Sequence, residues 1–373
     1  MALLNSPPRT YKMELDTKRS FDGSVPLPQS GGGSLTQTGP ALAKRVKAAI
    51  HMDMVGGGPE TKAVFHVTRG PMSLPSFVHD GAWAFAEWVN EESYKFAATG
   101  KTDYPLVAPE GGKEPLRAEY SSFTMGSDHD VYQDSSFGIP AIYLNDWPDR
   151  YIHTNFDTAA NIDPTKLKRA AFIGAASGYY LAQLSGSGRD ALSEQAAANR
   201  LELTSVAMGK MRQVSEQEGG NILRQGIEYT RRSGLSFDRF TEHLAYHIET
   251  PGATSPMDQL LNTIPPQAPA QGEGVLKFKR RPEPKGPLAV FGYDHFAEHA
   301  KAAGVATPKL LSYEGLWGSG EEYAYEVLNF ADGKRNAQGI RDAVSAEYGP
   351  VRLEMVVEYL KALEKIGVVE QVK

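Results

Sequence analysis

The chain has 373 residues, which at roughly 100–200 residues per domain allows two or three domains. Its content of 41% hydrophobic and 23% charged residues is that of an ordinary globular protein. The net charge of -6 argues against a general nucleic-acid binder, which needs a basic face. The absence of cysteine excludes disulfides and cysteine metal sites, and no apolar run reaches the roughly 20 residues of a membrane span.

The first 39 residues are rich in Pro, Gly, Ser and Thr, which predicts a flexible segment. The N-terminus lacks the basic region and apolar stretch of a signal peptide, so at face value it predicts a cytoplasmic protein.

Between residues 40 and 185, strand patterns alternate with amphipathic helix patterns, which predicts an α/β layer fold. The predicted strands cover residues 47–55, 62–70, 117–124 and 138–145, and the predicted helices cover 77–97 and 164–184. Asp163 and Pro164 are expected to be the N-cap and the first position of the second helix.

The pattern changes beyond residue 185. Residues 186–261 are predicted to be a helical region, and 262–323 a Pro/Gly-rich linker with irregular chain. Residues 324–373 resemble a small winged-helix-like module of helices, whose balanced charge favours packing or protein contact over DNA binding. The apolar stripe of its last helix consists of Leu353, Val356, Val357, Leu360 and Leu363.

Three short segments carry side chains suited to chemistry. Asp53 lies near the end of an apolar strand and before a glycine turn, where open α/β sheets place their ligand sites. Asp128 and His129 precede the predicted central strand. His153 follows that strand in a loop, and Asp157 lies four residues further on, where its carboxylate can orient the imidazole.

The three segments form motifs in a fixed order. They read His51-Met-Asp53-Met-Val-Gly56, Ser127-Asp128-His129…Gly138-Ile-Pro140 and Tyr151-Ile-His153-Thr154-Asn-Phe-Asp157. They resemble the zinc aminopeptidase group that includes bacterial aminopeptidase S, yeast aminopeptidase Y, glutamate carboxypeptidase II and glutaminyl cyclase. The resemblance covers about residues 40–185.

The resemblance implies a mixed sheet with helices on both faces and a centre of two zinc ions, which polarise a peptide carbonyl and activate a water. Asp53 matches a ligand to one zinc, and His153 matches a ligand to the other. Tyr151 lies near the family tyrosine that steadies the oxyanion, although Ile152 interrupts the usual Tyr-His pair. The residues expected in the pocket or around the ligands are His51, Asp128, His129 and Asp157. For His51, the expected role is to pack in the core or to support the ligands, and the alternative is a substitute zinc ligand.

Further ligands of the family, a His-x-Asp motif and a Glu-Glu pair, precede the strand that carries Asp53. Here no histidine precedes His51, and the pair Glu91-Glu92 follows that strand, on the expected exposed end of a helix. The acidic residues before His51 are Glu14, Asp16 and Asp22. The resemblance therefore predicts an incomplete zinc site and a truncated or misread N-terminus, with which an export signal would have been lost.

The predicted function is a zinc-dependent exopeptidase of the aminopeptidase type, acting on peptides, with little or no activity in this chain. The alternative is a non-catalytic remnant or a protein-interaction protein, and cyclisation of a peptide terminus is a more distant possibility. The segment 295–299, HFAEH, matches a His-x-x-Glu-His metal-binding pattern. The competing interpretation is a helix face exposed to solvent. The segment 243–247, HLAYH, has the same spacing without the glutamate.

Overall fold

A computed structural model describes most of the chain. The described residues are 46–184, 186–211, 214–241, 264, 267, 269–288, 295–315 and 318–373. The predicted flexible segment 1–39 and the segment 243–247 lie outside them.

The first part of the structure is built on a mixed four-stranded sheet. Its strands are β1 (Ala49–Asp53), β2 (Val64–Thr68), β3 (Ala118–Ser121) and β4 (Ala141–Trp147), in the order β1-β4-β2-β3. Strand β4 pairs in parallel with β1 and antiparallel with β2, and β2 pairs in parallel with β3. The predicted strands and the α/β class are confirmed.

Three helices accompany this sheet: α1 (Val78–Thr99), α2 (His129–Gln133) and α3 (Pro164–Ala182). The two long helices α1 and α3 cover one face of the sheet, where Phe65, Val67, Ile142 and Leu144 are fully buried. Because side chains alternate along a strand, this face is apolar and the opposite face carries the polar residues. The short helix α2 packs beside β4 at the polar face.

Strand β1 lies at one edge of the sheet, and no other strand pairs with its outer side within the described residues. Its side chains are half-buried apart from Met52, which is 38% exposed. His51 and Asp53 of the candidate site project from this edge strand, next to Tyr143 and Asn145 of β4.

Two long helices follow, α4 (Gly186–Met211) and α5 (Glu216–Thr241), and they pack against each other. Both helices lie within residues 186–261, the region predicted to be helical. No helix among the described residues combines the length and the apolar character needed to cross a membrane.

The C-terminal part contains β5 (Lys277–Arg280), α6 (His295–Ala302), α7 (Gly320–Asn329), β6 (Asp332–Asn336), α8 (Ala337–Tyr348), α9 (Leu353–Lys365) and β7 (Val369–Val372). Its antiparallel sheet has the order β6-β5-β7. Within the apolar stripe predicted for α9, Val356, Val357, Leu360 and Leu363 are buried. The resemblance of this module to a winged helix stays a prediction.

The segment 262–323, expected to be linker and irregular chain, contains the central strand β5 and the helix α6. In β5 a single apolar residue, Phe278, is fully buried between basic neighbours. So short a run shows no periodicity in the sequence, because its pairing with β6 and β7 is what makes it a strand. The C-terminal unit therefore begins before residue 324.

The two parts share a hydrophobic core. Phe123, which belongs to the first part by sequence, is 3% exposed within the C-terminal cluster and stacks on Tyr325 with ring centroids 5.4 Å apart. Met72 and Met125 pack against the same cluster. The segment after β3, which leads to the candidate site, is thus held by the C-terminal part.

Candidate functional site

The polar face of the sheet presents the candidate residues beside its edge. His51 and Asp53 are two positions apart on β1 and therefore point to the same face. Their partners in the register are Tyr143 and Asn145 of β4, so these four side chains lie on one surface. The sequence prediction that His51 and Asp53 share a face is consistent with this arrangement.

Ser127 joins the two β1 side chains. Its hydroxyl donates to Asp53 Oδ2 at 2.7 Å, and His51 Nε2 lies 2.8 Å from the same hydroxyl oxygen. A hydroxyl has one proton, so His51 must supply the other one from Nε2. Burial lowers the pKa of His51, against the raising effect of the Asp53 and Asp128 carboxylates, which favours the neutral tautomer with its proton on Nε2.

The sequence motif contains Ser127 but gives it no role. Its contact with Asp53 spans 74 positions of the chain. Local sequence patterns do not reveal such a contact. The signal in the sequence that Ser127 belongs to the site was its position next to Asp128 and His129.

His129, expected to line the pocket, is fully buried instead. Its ring stacks on Tyr143 with centroids 3.9 Å apart, and Nε2 donates to the carbonyl oxygen of Thr124 at 2.8 Å. Burial lowers the pKa of His129 to about 3, so the ring is neutral at physiological pH. His129 therefore packs the site segment onto β4, while the neighbouring Asp128 is exposed.

The loop after β4 carries the other predicted residues. Tyr151 is half-buried, with the Arg150 guanidinium 4.8 Å from the centre of its ring. His153 and Asp157 are exposed, and in the described part of the chain no hydrogen bond or ion pair joins them. His153 has a φ of 59°, a left-handed conformation that costs a non-glycine residue about 1 kcal/mol.

Residues 31–177 match the model of Peptidase family M28. The matched segment contains β1 to β4 and all three motifs. It supports a peptidase, from a family whose members are generally zinc-dependent, and it does not distinguish the aminopeptidase type from others. No curated protein and no solved structure matches the chain significantly.

The donor set of the M28-matched segment does not fit a zinc centre by itself. Among the residues that the structure describes, no group of three or more His, Asp or Glu side chains is arranged to hold a metal ion. Catalytic zinc sites use three protein ligands. The Asp53 carboxylate is bonded to Ser127, and no described contact links it to His153.

One other acidic residue differs from its sequence interpretation. Glu92, expected on the exposed end of a helix, is 6% exposed and accepts hydrogen bonds from Lys95, at 2.8 Å, and from Thr102. It ties the end of α1 to the following loop. In α6 the rings of His295 and His299 stack 3.8 Å apart, and no third metal-binding side chain joins them within the described residues.

Asp146 in β4 is a buried acid that the sequence analysis missed. It accepts a hydrogen bond from the Gly57 backbone N–H at 2.8 Å and forms an ion pair with Lys166 at 2.7 Å. Burial raises the pKa of Asp146 to about 6, although the Lys166 charge acts in the opposite direction. Asp146 thereby fastens the glycine turn that follows Asp53, and so supports the candidate site from the apolar side of the sheet.

Proposed function

We propose that the M28-matched part of this chain is one portion of a zinc-dependent exopeptidase of the aminopeptidase type, whose substrates are peptides with a free N-terminus. We also propose that the described donors alone bind zinc weakly or not at all, so that this polypeptide has little or no hydrolytic activity. The observation that carries it is the position of Asp53, on an M28 motif at the end of β1 beside the central strand β4.

The surroundings of Asp53 support a role in binding. Its carboxylate is half-buried, so it is open to a ligand on one side, and the Ser127 hydroxyl fixes its orientation with a 2.7 Å hydrogen bond. A ligand carboxylate in a metal site is commonly oriented by such a hydrogen bond. His153 stands on the exposed loop after β4, in a conformation that local sterics disfavour, as residues at functional sites often are.

The test measures zinc per folded chain by elemental analysis after dialysis, together with hydrolysis of aminoacyl nitroanilides and short peptides. We expect well below one zinc per chain and no hydrolysis above the rate without protein. The variants Asp53→Ala and His153→Ala should then have the same zinc content and the same rate of hydrolysis as wild type. Two variants serve as matched controls. Asp103→Ala removes an exposed aspartate, and His299→Ala removes a histidine that lies outside the M28 match.

About two zinc ions per chain, lost in Asp53→Ala and His153→Ala but kept in both controls, would contradict the predicted inactivity and extend the peptidase function to this chain. Zinc that is lost equally in the controls would count against Asp53 and His153 as ligands.

A second candidate function is a non-catalytic protein that binds partners through its M28-like surface. It is favoured by the absence of a three-donor metal group among the described residues. Binding of unhydrolysed peptides to zinc-free protein, measured by calorimetry and weakened by Asp53→Ala, would support this function over the first.

A further inference from the structure

One face of α7 contacts the segments that surround the candidate site. Residues at the helical spacings i, i+3, i+4 and i+7 lie on one side of a helix. On α7 these are Glu322, Tyr325, Glu326 and Asn329. Each one bonds to the first part of the chain, so α7 is the element that docks the C-terminal part there.

The bonds on this face reach both sides of the site segment. Tyr325 donates its hydroxyl to the Asp130 carbonyl oxygen at 2.8 Å, and the Ser135 backbone N–H donates to Asn329 Oδ1 at 2.8 Å. Thr124 donates to Glu322 at 3.2 Å. The segment between these anchors contains Ser127, which holds Asp53. The docking of α7 thus determines how firmly the Ser127 segment is held.

At the centre of the face lie two buried carboxyl groups. Glu326 is 0% exposed and accepts bonds from the Ser73 N–H at 2.9 Å and the Ser73 hydroxyl at 2.6 Å. Glu347 of α8 is 5% exposed and accepts from the Met72 N–H at 3.1 Å and 3.2 Å, one distance to each oxygen. Because Ser73 and Met72 are adjacent in the chain, these bonds bring the two buried carboxyl groups close together.

Two carboxyl groups that lie close together in a buried contact repel each other when both are ionised. The docked structure therefore favours the state in which the pair holds one proton. Burial is the main cause that raises the pKa of Glu326, and the interactions with Glu347 and Ser73 act against it. Burial also raises the pKa of Glu322, one turn away on the same face.

The groups that face the pair offer little positive charge. They come from α7, α8, α5 and β6, and they are Glu322, Tyr325, Tyr348, Tyr229 and Arg335. The charge of Glu326 acts on Arg335, and the charge of Arg69 acts on Tyr229. Burial raises the pKa values of all three tyrosines, so they stay neutral, and the repulsion between two ionised glutamates would act across a buried contact.

We propose that the Glu326–Glu347 pair is a proton-dependent latch, which holds α7 against residues 72 and 73 while the two carboxyl groups share a proton and releases it when that proton is lost. The sign follows from the raised pKa of Glu326 in the docked state. The contribution to docking is complete below the ordinary pKa of glutamate and is lost as pH rises through the raised value. This inference does not depend on the proposed function.

The test is hydrogen exchange of the full chain, read by mass spectrometry between pH 5 and pH 9 and corrected for the intrinsic pH dependence of exchange. In wild type we expect protection of residues 71–78 and 122–136 to fall by up to about tenfold per pH unit above the pKa of the pair, because opening releases one proton. Glu326→Gln keeps a donor to Glu347 but does not titrate, so its protection should change less than about twofold.

The matched control is Glu354→Gln, which neutralises an exposed glutamate on α9 and should reproduce the wild-type profile. Glu347→Gln is the second variant and should flatten the profile in the same way, should Glu326→Gln fail to fold. Wild-type protection that is constant from pH 5 to pH 9, or an equal fall in both glutamine variants, would overturn the latch.

Discussion

Ser127 connects the two polar side chains of β1 in the candidate site. Its hydroxyl has one donor and accepts from His51, so a single side chain orients both neighbours. Removing it leaves the Asp53 carboxylate and the His51 ring to be solvated by water, which the half-buried position allows only in part.

Ser127→Ala is expected to lower the free energy of unfolding by about 1 kcal/mol, the net value of a typical hydrogen bond at a partly buried position. Urea denaturation of the variant and of wild type at pH 7 measures the difference. Ser122→Ala, at an exposed serine in the same segment, should leave the free energy unchanged. An equally large loss of unfolding free energy in Ser122→Ala would mean that any change in this segment destabilises the protein, and not the loss of the Ser127 hydrogen bonds.

Asp146 gives a prediction for pH dependence. Its pKa in the folded chain is raised from 3.8 to about 6, so folding favours the protonated form. The stability from this group is present in full below pH 3.8 and is lost as pH rises through about 6, an effect on the order of 2–3 kcal/mol. Asp146→Asn should remove this fall, leaving a flatter stability profile between pH 4 and pH 6.5.

Urea unfolding at several pH values compares the slopes of wild type, Asp146→Asn and the exposed control Asp103→Asn. A slope in Asp146→Asn equal to that of wild type would show that other groups cause the dependence.

At the scale of single residues, the sequence located the motifs of the segment that matches the M28 model, but not their local chemistry. Asp53 was found because an acid in an apolar strand is conspicuous. The burial of His129 and the anchoring role of Asp146 depend on contacts with Tyr143 and Gly57, which are set by how the strands pair. No local pattern contains that information.

Among the elements, α3 begins where local chemistry says it should. Asp163 Oδ1 accepts from the Thr165 N–H at 2.9 Å, as expected of an N-cap, and Pro164 takes the first helical position. The same oxygen also accepts from the Gly112 N–H at 2.9 Å, so this cap fastens a loop that lies 51 positions earlier in the chain.

Asp163→Ala is therefore expected to cost about 1–2 kcal/mol, the upper range for a lost N-cap, because the bond to Gly112 is lost as well. Thermal and urea unfolding followed by circular dichroism measure the loss. Asp163→Asn, which retains an accepting oxygen, should recover most of it. Equal losses in both variants would mean that charge matters more than the cap.

Cap residues and apolar periodicity are local, which explains why α1 and α3 were predicted close to their observed ends. Strand β5 was not predicted because its sequence alternates only once around Phe278. Its identity comes from two antiparallel neighbours that lie more than 50 residues away. The linker assignment for residues 262–323 failed at that point for this reason.

At the scale of the whole molecule, Phe123 helps to join the two parts of the chain. It stands in the segment that leads to the site, yet it is buried in the C-terminal cluster against Tyr325. Phe123→Ala should destabilise the chain by about 3–5 kcal/mol, the usual cost of deleting a buried aromatic ring. The exposed aromatic control Tyr94→Ala should change the free energy of unfolding by less than about 0.5 kcal/mol.

The shared core also bears on how the protein melts. A core that contains residues from both parts cannot be lost from one part while the other stays intact, so the M28-like part and the C-terminal part should unfold together. Calorimetry should then show a single heat-absorption peak for both, with a calorimetric enthalpy close to the van't Hoff value. Phe123→Ala should lower the temperature of that peak and keep it single, because Met72, Met125 and the bonds of α7 still join the two parts.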